Sequence, residues 1–128
     1  MRAFDTCVLA RAIVGDDPEQ SPIAVRQLEV GGFVSLTVVL ELAWVLRSNF
    51  GYSRALLADT LDDLCRHPGL VIAREARIGW AAGRLRDGAD IGDLIHMVAS
   101  EGLEAFVTFD DMTKKVGADC PIPIELLH

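Results

Sequence analysis

Short apolar segments alternate along the chain with longer amphipathic segments, and no other feature of the sequence constrains the fold as strongly. The longer segments repeat their apolar residues with helical spacing, while the short ones are of strand type. A repeated strand-then-helix order is typical of an α/β domain with a mainly parallel sheet. The predicted strands are Arg2–Asp5, Phe33–Leu36, Leu70–Ala73, Ala105–Phe109 and Ile122–Glu125. The predicted helices are Thr6–Val14, Pro18–Val30, Thr37–Asn49, Ser53–Arg66, Glu75–Asp87 and Ile91–Glu101, with a short turn of helix at Met112–Gly117.

The length and composition predict one domain over residues 1–128. The chain is 51% hydrophobic, which excludes a disordered chain, and no linker or repeat divides it. Its least charged stretch, Val30 to Leu46, contains Glu41 and falls short of the ~20 apolar residues of a membrane span. Because no apolar run marks the N-terminus for export, we expect a cytoplasmic protein that does not enter a membrane.

The net charge of −7 argues against a protein that coats nucleic acid, although an enzyme could still contact nucleic acid at one local patch. Cys7, Cys65 and Cys120 are odd in number and lack zinc-ligand spacing with the histidines. We interpret them as small buried hydrophobic residues.

Acidic residues fall where three predicted strands end. In open parallel sheets, ligands bind beyond the carboxyl ends of the strands, and a helix that leads into a strand begins at that same edge. The residues at this edge are Asp5 after the first strand, Thr37 and Glu41 after the second, Asp110 and Asp111 after Ala105–Phe109, and Asp90 and Asp93 at the start of the helix that leads into that strand.

Glu41 is the most informative of these acids because its helical neighbours are Val38, Trp44 and Val45. A buried unpaired carboxylate costs several kcal/mol, so we expect Glu41 to have a cationic or hydrogen-bonding partner. If Asp5, Glu41, Asp93 and Asp110 converge, a cation is needed to offset their repulsion. Oxygen ligands without Cys or His select Mg²⁺ or Mn²⁺, and such clusters suit phosphodiester hydrolysis.

Each of these residues also has a purely structural explanation. Asp90 fits a helix N-cap, Asp93 an acid that complements the helix dipole, and Asp110 with Asp111 a turn. Thr37 fits a helix cap, although its hydroxyl could also orient a metal-bound water. The remaining candidates, Arg47, Arg84, Arg86, Lys114 and Lys115, could contact phosphates or lie on solvated helix faces, and Trp44 and Trp80 fit core or interface anchors.

Four segments together resemble PIN-domain ribonucleases, and most closely the VapC-type toxins of toxin–antitoxin pairs. They are Phe4-Asp5-Thr6-Cys7-Val8-Leu9, Ser35-Leu36-Thr37 through Glu41-Leu42-Ala43-Trp44-Val45-Leu46, Gly88-Ala89-Asp90-Ile91-Gly92-Asp93-Leu94-Ile95-His96, and Val107-Thr108-Phe109-Asp110. Their order and spacing extend the resemblance over nearly the whole chain.

The resemblance implies a three-layer α/β/α sandwich around a central, mainly parallel sheet of four or five short strands. It places Asp5, Glu41 and Asp93 at the first three acidic positions of the metal site and Asp110 or Asp111 at the fourth, with Thr6, Thr37, Asp90 and Thr108 in support. Cys7 stands where these toxins usually carry Asn.

By the same resemblance the protein is a homodimeric endoribonuclease that depends on Mg²⁺ or Mn²⁺ and cuts RNA. Its partner would be a cognate VapB-type antitoxin whose C-terminal tail lies in a groove leading to the acids.

Two other classes of function fit the sequence less well. A signalling receiver domain requires an acidic pair near the first strand and a phosphoacceptor Asp after the third, where this chain has Asp5-Thr6 and Ala73-Arg74. A haloacid-dehalogenase-like phosphatase requires a second Asp where Cys7 stands. A PIN-like binding module without catalysis remains open because of Cys7.

Overall fold

Short polar side chains begin several of the helices. Ser35, Ser53 and Asp90 each accept a hydrogen bond from the backbone N–H three residues further on, which satisfies a donor that a helix start otherwise leaves unpaired. The computed structural model describes residues 1–128. Its helices are α1 (Thr6–Val14), α2 (Gln20–Val30), α3 (Leu36–Phe50), α4 (Arg54–Arg66), α5 (Glu75–Arg86), α6 (Ile91–Ala99) and α7 (Thr113–Val116). Its strands are β1 (Gly32–Val34), β2 (Leu70–Ile72), β3 (Phe106–Thr108) and β4 (Ile124–Leu126).

Local hydrogen bonds shift two helix starts from their predicted positions. The carboxylate of Asp17 accepts hydrogen bonds from the backbone N–H groups of Glu19 and Gln20, so α2 begins two residues later than predicted. Ser35 caps α3 through the N–H of Val38. The prediction that Thr37 caps this helix is therefore wrong.

The strands pair in parallel, but two at a time. β1 pairs with β2 through Phe33 and Val71, and β3 pairs with β4 through Val107 and Glu125. The predicted first strand, Arg2–Asp5, contributes a single parallel bridge between Ala3 and Phe33.

The α/β class is confirmed, whereas the single central sheet of four or five strands is not what the structure shows. Each strand has three residues, and the sheets have the orders β1-β2 and β3-β4. The first strand is short because the chain turns into α1 at once, with Asp5 as the helix cap. The three-layer arrangement that the central sheet would organise stays a prediction.

One apolar cluster packs the helices against the strands of both sheets. Leu42 of α3, Leu61 of α4 and Leu94 of α6 are fully buried, and they share this cluster with Val34 of β1 and Ile122 near the start of β4. The cluster anchors the helices whose ends carry the acidic residues. None of the helices is both long and apolar enough to cross a membrane.

Candidate functional site

The start of α6 and the segment after β3 enclose a cleft of about 330 Å³. Its charged lining consists of four carboxylates and one ammonium group, from Asp90, Asp93, Asp110, Asp111 and Lys115. We call it the Asp93 cleft. The structure thus brings together the acids that the sequence places at the start of one helix and at the end of the strand that follows it.

Asp90 is the N-cap of α6. Its Oδ1 accepts a hydrogen bond of 3.1 Å from the backbone N–H of Asp93. This bond holds the first turn of the helix, from which the Asp93 side chain projects into the cleft. Asp90 therefore has a structural role whether or not it also contacts a ligand.

Asp93 lies in surroundings that disfavour its negative charge. Burial raises the pKa of Asp93 above its usual range, and the neighbouring carboxylates of Asp90 and Asp110 raise it further. The positive charges of His96 and Lys115 act in the opposite direction. A cation in the cleft would relieve this crowding of negative charge.

Asp110 and Asp111 differ in how their side chains are used. Asp111 accepts hydrogen bonds from the hydroxyl and the backbone N–H of Thr113, at 2.8 and 3.4 Å, and these bonds lower the pKa of Asp111. Asp110 is held through its backbone N–H, which donates to the hydroxyl of Thr108 at 3.0 Å. Of these two carboxylates, that of Asp110 is the one whose charge raises the pKa of Asp93.

Asp5 lies at the start of α1, and both of its carboxylate oxygens have a donor. Oδ1 accepts from the backbone N–H of Thr6 at 2.8 Å, and Oδ2 accepts from the thiol of Cys7 at 3.3 Å. Cys7 is exposed and free, and Cys65 and Cys120 are only partly buried, so the interpretation of the three cysteines as buried residues is wrong. The hydroxyl of Thr6 is buried and has no hydrogen-bond partner.

Asp5 and Glu41 line a second cleft of about 310 Å³ between α1 and α3, which we call the Asp5 cleft. Glu41 is exposed, so the desolvation cost from which a partner for it was expected does not arise. The apolar side of α3 instead consists of Val39, Leu42, Ala43 and Leu46. The remaining site candidate, Thr37, is exposed, and its hydroxyl lies 3.0 Å from that of Ser35.

The acids thus form two groups, with Asp90, Asp93, Asp110 and Asp111 in one cleft and Asp5 with Glu41 in the other. No three acidic, histidine or cysteine side chains lie close enough together to enclose a metal ion. The structure does not bring Asp5, Glu41, Asp93 and Asp110 into one ligand shell.

The model of one protein family matches residues 3–119, which is most of the chain, and this family is the PIN domain. The chain belongs to the PIN domain family. PIN domains are typically nucleases that use divalent metal ions. No curated protein and no solved structure is similar enough to the chain to be matched.

The donor chemistry of this PIN domain fits a hard divalent cation. Both clefts offer carboxylate oxygens, and four carboxylates face a single lysine in the lining of the Asp93 cleft. The buried Thr6 hydroxyl adds an oxygen without a partner beside Asp5. No cysteine or histidine lines the Asp93 cleft, which favours Mg²⁺ or Mn²⁺ over zinc.

Two features of the clefts add to what the sequence predicts. Lys115, for which the sequence left open a phosphate contact or a solvated position, lines the Asp93 cleft. The thiol of Cys7 contacts Asp5, and the signal for this contact is their spacing of two residues at a helix start.

Proposed function

We propose that the protein is a Mg²⁺- or Mn²⁺-dependent endoribonuclease that acts as the toxin of a toxin–antitoxin pair. The observation that carries the proposal is the crowding of carboxylates around Asp93 in a PIN domain, which a divalent cation would relieve. A metal ion at carboxylates supplies activation of water and stabilisation of negative charge on phosphate and on the leaving oxygen.

The residues that would hold metal are Asp93 with Asp110 in one cleft and Asp5 with Glu41 in the other, and a shared ion would require the two clefts to approach each other. We choose Asp110 over Asp111 because Asp111 accepts hydrogen bonds from Thr113, whereas the charge of Asp110 raises the pKa of Asp93. Other residues position these ligands. Asp90 caps the helix of Asp93, Thr108 holds the backbone of Asp110, and the thiol of Cys7 holds one oxygen of Asp5.

The toxin role requires a surface for an antitoxin, and a groove next to the Asp5 cleft supports it. This groove, of about 340 Å³, runs between α1 and α2 and is lined in part by Val8, Ile23 and Ala24. Cys7 and Arg11 line both the groove and the Asp5 cleft. We propose that a VapB-type antitoxin tail occupies this groove and leads to the acids.

A homodimer is also part of the proposal. Several large apolar side chains are exposed, among them Trp44 at 67% and Phe109 at 75%. Exposed apolar side chains favour contacts between proteins where they form one contiguous patch, and the dimer proposed here requires such a patch. Sedimentation of the purified protein should give the mass of two chains; the mass of a single chain would remove this element.

The experiment that tests the nuclease is cleavage of total cellular RNA by the purified protein, without antitoxin, in Mn²⁺, in Mg²⁺ and with a chelator. Asp93→Asn should lose cleavage by about 100-fold or more, because loss of even the outer partners of a metal ligand costs about 10–100-fold. The matched control is Asp63→Asn, which changes an exposed carboxylate on α4 that pairs with Arg66. RNA fragments that form equally with chelator or with Asp93→Asn would contradict the proposal.

A binding module without catalysis is the second candidate, and a specific observation favours it. The carboxylates stand in two groups without a preformed ligand shell. A protein with no measurable affinity for Mg²⁺ or Mn²⁺ and no cleavage of RNA would establish this candidate in place of the nuclease.

A further inference from the structure

One lysine stands alone among the acids of the Asp93 cleft. Lys115 is the only cationic side chain in the lining of this cleft. An RNA phosphate that approaches four carboxylates is repelled by their charge, and Lys115 is the positive charge that the protein itself supplies beside any bound metal ion. We propose that Lys115 binds a phosphate of the RNA substrate at the Asp93 cleft, an inference that rests on the proposed nuclease function.

The position of Lys115 is fixed by the core. α7 packs through Met112 and Val116, which are 7% and 2% exposed. The backbone N–H of Lys115 donates to the carbonyl of Met112 at 3.0 Å. Lys115 itself is exposed. A buried anchor therefore holds this lysine at the rim of the cleft, while its ammonium group can reach a ligand.

The ammonium group of Lys115 is not used within the protein. Every ion pair of the structure is made by an arginine. Lys114 and Lys115, the only two lysines of the chain, form none. Lysine binds phosphate as a point charge. An unpaired ammonium group at the cleft can therefore bind an RNA phosphate without breaking an existing ion pair.

The two adjacent lysines differ in where they lie relative to the cleft, and this makes them a matched pair. Both are exposed, and only Lys115 lines the cleft. Lys114→Ala therefore removes the same charge from the same short helix without removing it from the cleft.

The test compares wild type, Lys115→Ala, Lys115→Arg and Lys114→Ala. Binding to a labelled single-stranded RNA of random sequence is measured by fluorescence anisotropy at several salt concentrations, and cleavage of total RNA is measured on the same preparations. Lys115→Ala should weaken RNA binding by about fivefold, as for an exposed ion pair. In this variant the slope of log K against log salt concentration should be smaller in magnitude by about 0.7, which is the contribution of one phosphate contact in a single strand. Lys115→Arg should restore both, and Lys114→Ala should resemble wild type.

A titration with Mn²⁺ separates this role from a simple offset of acidic charge. Lys115→Ala could bind Mn²⁺ more tightly than wild type and yet bind RNA with unchanged affinity. In that case Lys115 only offsets the negative charge of the cleft, and the inference is wrong. The inference is equally wrong if Lys114→Ala weakens RNA binding as much as Lys115→Ala. Those results leave metal-dependent cleavage by wild type intact, whereas a wild type that neither binds nor cleaves RNA overturns the proposed function as well.

Discussion

Replacing Asp90 by Ala should lower the stability of the metal-free protein by about 1 kcal/mol, the usual value of an N-cap. The side chain accepts the backbone N–H of Asp93 at 3.1 Å, and this bond is lost in Asp90→Ala. In a chain of 128 residues, a change of about 1 kcal/mol corresponds to about 3–5 °C in the melting temperature. Asp90→Asn keeps an oxygen acceptor at the cap and removes a charge that raises the pKa of Asp93. Its melting temperature should equal or exceed that of wild type.

The assay is thermal unfolding followed by circular dichroism at neutral pH with a chelator present. The same variants also test function. Replacing a residue that only positions Asp93 should reduce Mn²⁺ affinity less than replacing Asp93 itself. We expect both Asp90 variants to weaken Mn²⁺ binding by about tenfold, the lower end for outer partners of a metal ligand, and Asp93→Asn to abolish it. Equal melting temperatures for Asp90→Ala, Asp90→Asn and wild type would refute the capping role. A loss of Mn²⁺ binding in Asp90→Asn as complete as in Asp93→Asn would show that Asp90 is itself a ligand.

Three further predictions concern Asp93, Cys7 and the core. Because burial and the neighbouring carboxylates raise the pKa of Asp93 in the folded state, Asp93 should contribute a loss of stability in the metal-free protein as pH rises from the ordinary Asp value of about 3.9 through that raised pKa. Asp93→Asn should lack this loss in melting curves recorded across pH, and a wild type with the same pH profile as the variant would contradict it. Cys7→Ala removes the thiol donor 3.3 Å from Oδ2 of Asp5 and should weaken Mn²⁺ binding by about tenfold; Cys7→Ser should restore it, and an unchanged affinity in Cys7→Ala would argue against a positioning role. Leu42→Ala, at a fully buried position of α3, should cost about 2–5 kcal/mol in urea unfolding, whereas Leu56→Ala, at a position 47% exposed, should cost far less; similar losses would contradict the assigned core.

The helices could be predicted from the sequence because their signals are local. Ser53 and Asp90 stand at cap positions, and the residues His67-Pro68-Gly69 end α4 where the pattern predicts. The cap of α3 was missed because Ser35 and Thr37 are both good caps and only the backbone decides between them. Helix periodicity also places Leu42 and Leu46 on the buried side of α3.

The sheet could not be predicted to the same degree because strand pairing is not local. Five short apolar segments indicate strands, but a pattern of residues does not state which edges pair. Ala3 forms one bridge and then Asp5 turns the chain into α1, so the first segment is too short to join a sheet of several strands.

The candidate site was predictable where one element leads directly into the next. α6 runs into β3, which fixes Asp93 and Asp110 at one cleft. Glu41 depends instead on the rotation of α3 about its axis, and its apolar neighbours along the chain suggested burial although its own side chain is exposed. The distance between the two clefts is set by packing between elements far apart in sequence, on which no local pattern bears.

The most direct test of the account is calorimetric titration of Mn²⁺ into wild type, Asp5→Asn and Asp93→Asn, with Asp63→Asn as a control. If the carboxylates of the Asp5 and Asp93 clefts together hold the metal, wild type and Asp63→Asn bind Mn²⁺ alike, and each of the other two variants loses binding by about 100-fold or more. Binding by Asp5→Asn as tight as by wild type would contradict a shared metal centre, and a wild type without affinity for Mn²⁺ would contradict the metal-dependent nuclease itself.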